Sequence, residues 1–356
     1  MNASDSALLR LTSAAVGLRP YEDVSLAPDE WERLFTQASL HNVGALVCVA
    51  LEQCQSDIPL TIKLKFAALK QQTAVRYAER RRLMVSLLTL WNSAGIETML
   101  LKGFDTCRHY PDPTLRSFGD IDTYNLGRRK EADRLVADHF GVEVSTSTHH
   151  HSKYTLSGIL VENHYDFISR YGNRGNGRMD DLLKNEVGKD RTAYTLDGQH
   201  CLLPPPDFAA LFHLRHMAAH FAADRITVRH LVDWTLFCRD EEHNVDWSKI
   251  RTVADNFGFL PFAQALEEIC RRHLGLTPHL GGCDAELTNR VLNEILVGEF
   301  SVPEPPSSKP FQRLNFKWRR LVAGRWKHRL CYSAPWGIDL IYSLWAKILK
   351  PHTILH

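Results

Sequence analysis

Two carboxylates one residue apart are the first feature of this chain that could do chemistry. Asp120 and Asp122 stand in the run DIDTYNL, whose alternation of side chains is typical of a strand. Side chains at positions i and i+2 of a strand project from one face, about 6–7 Å apart at their bases. Carboxylate oxygens are the ligands that hard divalent cations prefer. The spacing therefore predicts that both acids bind Mg²⁺, with Mn²⁺ as the alternative ion.

A second alternating run, ILVENHYDF, supplies a third acid. Glu162, His164 and Asp166 alternate in it and so share one face of a predicted strand. We predict Glu162 as the third carboxylate of a two-metal site, where one ion activates the attacking oxygen and the other neutralises phosphates. His164 is predicted to be catalytic there, by orienting a ligand, binding a phosphate or serving as a base.

Phosphoryl transfer also requires positive charges and backbone donors around the phosphates. The short apolar run IETMLLKG predicts a buried strand that ends in Lys102 and Gly103. A glycine there would let phosphate oxygens approach main-chain N–H groups at the start of the next helix. Arg116 could direct its guanidinium fork onto the same phosphates. Lys102, Gly103 and Arg116 are therefore the predicted phosphate-binding residues.

The elements that must position these residues lie in a segment that mixes strands and helices. We place this predicted core at 96–203, after a helical region at 1–95. Helix is favoured in that region because the stretch from Thr61 to about Asn92 contains neither Gly nor Pro. A second helical region follows at 204–300, and a basic, Trp-rich segment occupies 301–356. The pattern predicts an α+β fold.

The order of these motifs resembles a known family. The run LLKGFDTCRHYPDPTLRSFGDIDTYN is similar to the signature of an uncharacterised bacterial nucleotidyltransferase family of the LKG…R…DxD type, within the polymerase-β-like nucleotidyltransferase superfamily. ILVENHYDF resembles that family's later strand, and LFHLRHMAAHFAADRITVRHLVDWTLF resembles the helical segment that follows. The resemblance covers about 30–250 and is strongest over 96–124.

The resemblance implies a polymerase-β-like core with a mixed sheet, flanked by helical regions, that binds an NTP with Mg²⁺. It implies transfer of an NMP group to an acceptor with release of pyrophosphate. It assigns phosphate binding to Lys102 and Gly103, and metal binding to Asp120, Asp122 and the third acid, Glu162. Arg116 falls on the family's loop arginine. The acceptor, which could be a small molecule, a protein or RNA, and the preferred base are left open, as is the oligomeric state.

Composition excludes several classes of protein. The chain has 356 residues, a formal net charge of +2, 44% hydrophobic and 24% charged residues, which excludes disordered, collagen-like and coiled-coil chains. Its eight cysteines are scattered without a CxxC pair, which argues against a disulfide framework or a structural zinc site. No run approaches the roughly 18 apolar residues of a membrane span, and the N-terminus lacks signal-peptide features. We therefore expect a cytoplasmic protein.

Histidines on a predicted helix could suggest a different site. His213, His216 and His220 share one helical face, which predicts packing or substrate lining rather than a metal site, because no acid lies in the same register. Asp224, Arg225, Arg229, His230 and Asp233 are interpreted as a polar helix end and its partners.

The C-terminal segment is strongly basic. No acid occurs between Glu304 and Asp339, and tryptophans are interspersed with Lys and Arg. Such a segment could contact a polyanion, although a helix with one packed and one solvated side is the simpler interpretation.

Three alternative functions remain open at this point. The first is a toxin-like nucleotidyltransferase that acts on tRNA, the second a catalytically inactive nucleotide-binding module of the same fold. The third is a metal-dependent hydrolase that uses the histidine face.

Overall fold

The computed structural model describes residues 1–146, 150–170, 173–189, 191–297 and 310–341. The start of the basic segment, 301–309, and its end, 342–356, lie outside the described residues. Within the described residues, no helix combines the length and the apolar character needed to cross a bilayer.

Four helices precede the sheet: α1 (Ala3–Ala15), α2 (Pro28–Leu40), α3 (Gly44–Gln53) and α4 (Leu60–Ser93). The last agrees with the predicted helix to within a residue at each end. The periodic stretch from Pro28 to Cys54 is divided between α2 and α3, because Asn42 takes a positive φ of 59° that an α-helix does not accommodate.

The middle of the chain forms one six-stranded mixed sheet. Its strands are β1 (Met99–Leu100), β2 (Ile121–Tyr124), β3 (His151–Leu156), β4 (Ile159–His164), β5 (Thr192–Leu196) and β6 (Gln199–Leu203), in the order β3-β4-β2-β1-β6-β5. The pairs β2·β4 and β1·β6 are parallel, and the other pairs are antiparallel. The predicted α+β class with a mixed sheet is confirmed.

Helices connect the strands and follow the sheet. Between strands lie α5 (Gly103–Cys107), a 3₁₀ turn (Pro113–Leu115), α6 (Arg129–Phe140) and α7 (Asn176–Val187). After the sheet come α8 (Pro206–Ala223), α9 (Val228–Glu241), α10 (Trp247–Asn256), α11 (Leu260–Leu274), α12 (Ala285–Val297), α13 (Pro310–Ala323) and α14 (Arg325–Cys331).

Two apolar clusters hold these elements together, and α4 belongs to both. Its first half places Phe66 in a large cluster with the other N-terminal helices and with α8 to α12. Its second half places Trp91 in a second cluster with the sheet residues Ile121 and Val161. Because α4 spans both clusters, packing does not separate 1–95 from 96–203, and the predicted segment boundaries stay predictions. The face of β2 and β4 that lies away from this second cluster is the one that carries the acids.

Candidate active site

Strand register brings the predicted acids together. Asp122 and Glu162 are direct partners across the parallel pair β2·β4, so their side chains leave the same face of the sheet. His164, two residues beyond Glu162, shares that face. The ligand atoms of these three side chains all lie within 4.8 Å of one another. Asp120 directly precedes β2 and lines the adjoining pocket.

Asp122 is the centre of this group. Its Oδ1 lies 3.0 Å from Nζ of Lys102 and 2.8 Å from Nε2 of His164. Burial would raise the pKa of Asp122, but the Lys102 ammonium and the His164 contact hold it well below its usual range. The carboxylate is therefore ionised at neutral pH.

His164 uses both ring nitrogens, one towards the backbone and one towards Asp122. Its Nδ1 lies 3.2 Å from the backbone oxygen of Asp166, and a carbonyl only accepts hydrogen bonds, so Nδ1 carries a proton. Nε2 lies 2.8 Å from Oδ1 of the ionised Asp122, and because a carboxylate only accepts, Nε2 donates to it in this structure. A bound cation would have to take the place of that proton. Ligating histidines typically donate their other N–H to a carbonyl or carboxylate in this way. The Asp166 side chain, predicted on the same face, bonds to Lys184 instead.

Glu162 contacts a histidine, since its Oε1 lies 3.4 Å from Nε2 of His151. Burial, and then the negative charge of Asp122, raise the pKa of Glu162 to about 7. Two carboxylates and one imidazole nitrogen within a few ångströms form a donor set suited to a divalent cation. The residues present therefore fit the predicted metal site, with His164 added to the predicted ligands.

The predicted phosphate-binding glycine has a packing role in the structure. Lys102 takes a φ of 36° and caps α5, which begins at Gly103. A Cβ on Gly103 would lie 2.6 Å from the ring of Phe118, so a larger residue would displace that ring. Packing alone thus requires glycine here, and the predicted contact of Gly103 with phosphate stays a prediction.

A pocket of about 280 Å³ opens between the sheet and two helices. The sheet wall is defined by Lys102, Gly103, Asp120 and Asp122. The helical wall is defined by residues of α8 and α9: His213, His216, His220, Arg229, His230 and Asp233. The two walls face one cavity, so one substrate could contact both.

Arg116 reaches this pocket from the loop before β2, but its guanidinium is already engaged. Its Nε and Nη2 donate to the two oxygens of Asp233, at 2.8 and 2.9 Å. Asp233 also accepts from Tyr110 and Arg229. Burial would raise the pKa of Asp233, but the two arginines hold it well below its usual range. A phosphate could bond only to the donors of Arg116 that Asp233 leaves over.

The histidines of α8 line the pocket. His213 lies 3.4 Å from the hydroxyl of Thr106. Burial lowers the pKa of His213 to about 4 and that of His216 well below its usual value, so both rings are neutral at pH 7. Within the described ranges, the group of three metal donors is Asp122, Glu162 and His164, and the α8 histidines do not form such a group.

Sequence reasoning did not assign Asp233, Arg229 or His230 to the site. These residues lie more than 100 positions beyond Asp122 and were interpreted as a polar helix end. The signal available was the density of charge in RITVRHLVD, where apolar residues alternate with ionisable ones on a helix start. That signal does not show which part of the protein the charged side of the helix will face.

A family model described as "Uncharacterised nucleotidyltransferase" matches residues 27–275. The curated proteins include no match. Among solved structures, the antibiotic-resistance factor ANT(2'')-Ia aligns at 13% identity and a TM-score of 0.38, over 55% of this chain and 99% of its own. An antigenic nucleotidyltransferase-like protein from Paracoccidioides brasiliensis aligns at 17% identity and 0.30, over 44% and 72%.

Proposed function

The chain belongs to the uncharacterised nucleotidyltransferase family and is a transferase, and from that premise we propose the reaction in more detail. The proposed enzyme depends on a divalent metal, takes an NMP group from an NTP and releases pyrophosphate. The observation that carries the proposal is the register of β2 and β4, which places Asp122 opposite Glu162 beside Lys102.

The acids and the imidazole would hold the metal. Asp120, Asp122, Glu162 and His164 supply oxygen and nitrogen donors for Mg²⁺ or Mn²⁺. When bound, such ions would neutralise phosphate charge and increase the acidity of the attacking hydroxyl.

The chain's own residues would bind and orient the substrates. Burial would lower the pKa of Lys102, but the charges of Asp122 and Asp120 raise it, so its ammonium is charged at neutral pH and near the expected position of the phosphates. Asp233 fixes the plane of the Arg116 guanidinium through two hydrogen bonds. Nη1 also lies 3.5 Å from the backbone oxygen of Gly103, so its second N–H would be the one to reach a phosphate oxygen. The helical wall would exclude water from the transferred group.

The acceptor of the NMP group remains to be identified among small molecules, proteins and RNA. In the described part of the basic segment, Trp318 is 54% exposed and Arg319 is exposed. This surface supports contact with a polyanionic acceptor, which stays part of the proposal.

The test combines nucleotide binding with product release. We expect NTPs with Mg²⁺ or Mn²⁺ to raise the melting temperature of the wild type, since a ligand at 100 times its Kd stabilises by about 2.7 kcal/mol. We expect Asp120→Asn/Asp122→Asn to lose this stabilisation and to reduce pyrophosphate release about 1,000-fold or more. A scan of NTPs by thermal shift, followed by a pyrophosphate assay, measures both.

A matched control removes two other charges. Asp138→Asn/Asp255→Asn changes two exposed carboxylates outside the pocket and should behave as the wild type. Retained nucleotide stabilisation in the Asp120/Asp122 variant would contradict the metal site. Nucleotide binding by the wild type without pyrophosphate release, in the presence of candidate acceptors, would favour the inactive module.

A further inference from the structure

Helix α9 begins with a capping box in which histidine replaces the usual residue. In such a box the N-cap side chain accepts from the backbone N–H three residues on, and the side chain there, normally Glu or Gln, accepts from the N-cap N–H. Here Thr227 is the N-cap and His230 takes the place of the Glu or Gln. The backbone N–H of Thr227 donates to Nδ1 of His230 at 3.0 Å.

This hydrogen bond fixes the tautomer of His230. Because Nδ1 accepts, the proton of the neutral ring must be on Nε2. Burial, and then the neighbouring Arg229 charge, hold the pKa of His230 well below its usual value, so the ring is neutral at pH 7. Nε2 of His230 is therefore a hydrogen-bond donor on a residue that lines the pocket.

The polar atom facing that donor is itself a donor. Nη2 of Arg229 lies 3.4 Å from Nε2 of His230, and a guanidinium has no lone pair to offer. The other terminal nitrogen of Arg229, Nη1, donates to Asp233 at 3.1 Å. Within the part of the chain that the structure describes, Nη2 of Arg229 and Nε2 of His230 thus have no acceptor, and they stand side by side at the pocket.

The local charge is also unbalanced. Arg116 and Arg229 share the single carboxylate of Asp233, and Arg116 takes both of its oxygens. One positive charge therefore remains in excess at this wall. Two adjacent donors with an uncompensated cation form a binding arrangement for an anionic oxygen.

We propose that Arg229 and His230 form a subsite for an anionic oxygen of a substrate, a phosphate or a carboxylate, on the helical wall of the pocket. The proposal rests on the proposed function, because it assumes that this pocket binds substrate. The anionic oxygen can belong to the triphosphate of the NTP or to an acidic group on the acceptor.

Two variants separate this role from folding. His230→Glu keeps an acceptor for the Thr227 N–H, since Glu is common at this position of a capping box, but it replaces the donor with a negative charge. Arg229→Met removes the guanidinium while Asp233 retains Arg116. We expect both variants to keep the melting temperature of the wild type to within a few degrees. Arg225→Met is the matched control, because Arg225 is nearby in sequence and does not line the pocket.

The probes are inorganic tripolyphosphate with Mg²⁺, and inorganic phosphate added at saturating tripolyphosphate, both followed by calorimetric titration. A loss of about 10-fold or more in tripolyphosphate affinity in both variants, with none in the control, would support the subsite and assign it to the triphosphate. If both variants keep the tripolyphosphate affinity of the wild type but lose binding of inorganic phosphate, the result would support the subsite and assign it to the acceptor.

The subsite is overturned if the wild type binds neither probe, or if both variants bind both probes as the wild type does. Failure of the proposed function is distinguishable from this result. Anion binding is measured without turnover. A wild type that releases no pyrophosphate can therefore still bind the probes, and the variants can still be compared with it.

Discussion

The two walls of the pocket carry opposite excesses of charge. On the sheet wall and directly behind it, Asp120, Asp122 and Glu162 gather around the single ammonium of Lys102. At the helical wall, Arg229 and, from the loop before β2, Arg116 gather around the single carboxylate of Asp233. One wall is therefore suited to a cation and the other to an anion. The difference teaches that one pocket can present an acidic and a basic wall to the same molecule, an arrangement that favours charged over neutral ligands.

The walls also differ in what holds their charges. Asp122 is one of several acids near Lys102. If Asp122 lost its charge, the Lys102 ammonium would still have Asp120 and Glu162 as acidic neighbours. Asp233 is the carboxylate that both arginines contact, and it also accepts from Tyr110. Equivalent substitutions on the two walls should therefore have unequal effects on stability.

The largest expected effect is on folding, from Asp233→Asn. Removing the charge leaves Arg116 and Arg229 without their shared partner, and breaking a buried ion pair typically costs about 3–5 kcal/mol. We expect a loss of that order in the free energy of unfolding, measured by denaturant titration. The matching change on the sheet wall, Asp122→Asn, should cost clearly less while abolishing metal binding. Equal losses for the two variants would remove the distinction between the walls.

The residues of the sheet wall could be predicted from the sequence because the spacing that identifies them is local. Asp120 and Asp122 are two residues apart, and so are Glu162 and His164, so strand alternation alone places each pair on one face. The one long-range assumption was that the two strands are neighbours. The structure pairs β2 with β4, in parallel, which the sequence did not predict. The placement of these residues was thus predictable, whereas their chemical roles remain to be measured.

The helical wall was not accessible for the converse reason. A helix pattern shows which side of α9 is apolar, but it does not tell which other element that helix will contact. The bidentate bond between Arg116 and Asp233 joins residues 117 positions apart, and no local spacing encodes it. The tautomer of His230 depends on a cap that is recognisable only once α9 is known to begin at Val228.

The next effect concerns the histidines of the two walls. If His164 donates nitrogen to the metal, Mn²⁺ bound to the wild type should show nitrogen coupling in pulsed electron paramagnetic resonance. His164→Gln should lose that coupling and about 10-fold or more in Mn²⁺ affinity. His216→Gln on the helical wall is the control and should change neither. Bound Mn²⁺ without nitrogen coupling in the wild type would remove His164 from the ligands and leave the carboxylates in place.

The smallest expected effect is on the pH dependence of stability, and it follows from a comparison of Glu162 with Glu267. The pKa values of both acids are raised to about 7, in each case mainly by burial. Glu162 also faces the charge of Asp122, whereas Glu267, on α11, accepts from the backbone N–H groups of His279 and Leu280 at 2.9 and 2.8 Å. Glu267 is fully buried and does not line the pocket, so its proton is linked to folding alone.

A carboxyl whose pKa is higher in the folded state than in the unfolded state binds its proton more tightly when folded. Stability from that proton is fully present below the unfolded value of about 4.5 and is lost as pH rises through 7. We expect the wild type to lose about 1 kcal/mol more than Glu267→Gln between pH 6 and pH 8. Denaturant titrations of both proteins at the two pH values measure it. Adding Mg²⁺ should leave this difference unchanged, because Glu267 is not among the metal donors. If Mg²⁺ abolishes the difference, protonation of Glu267 is coupled to metal binding.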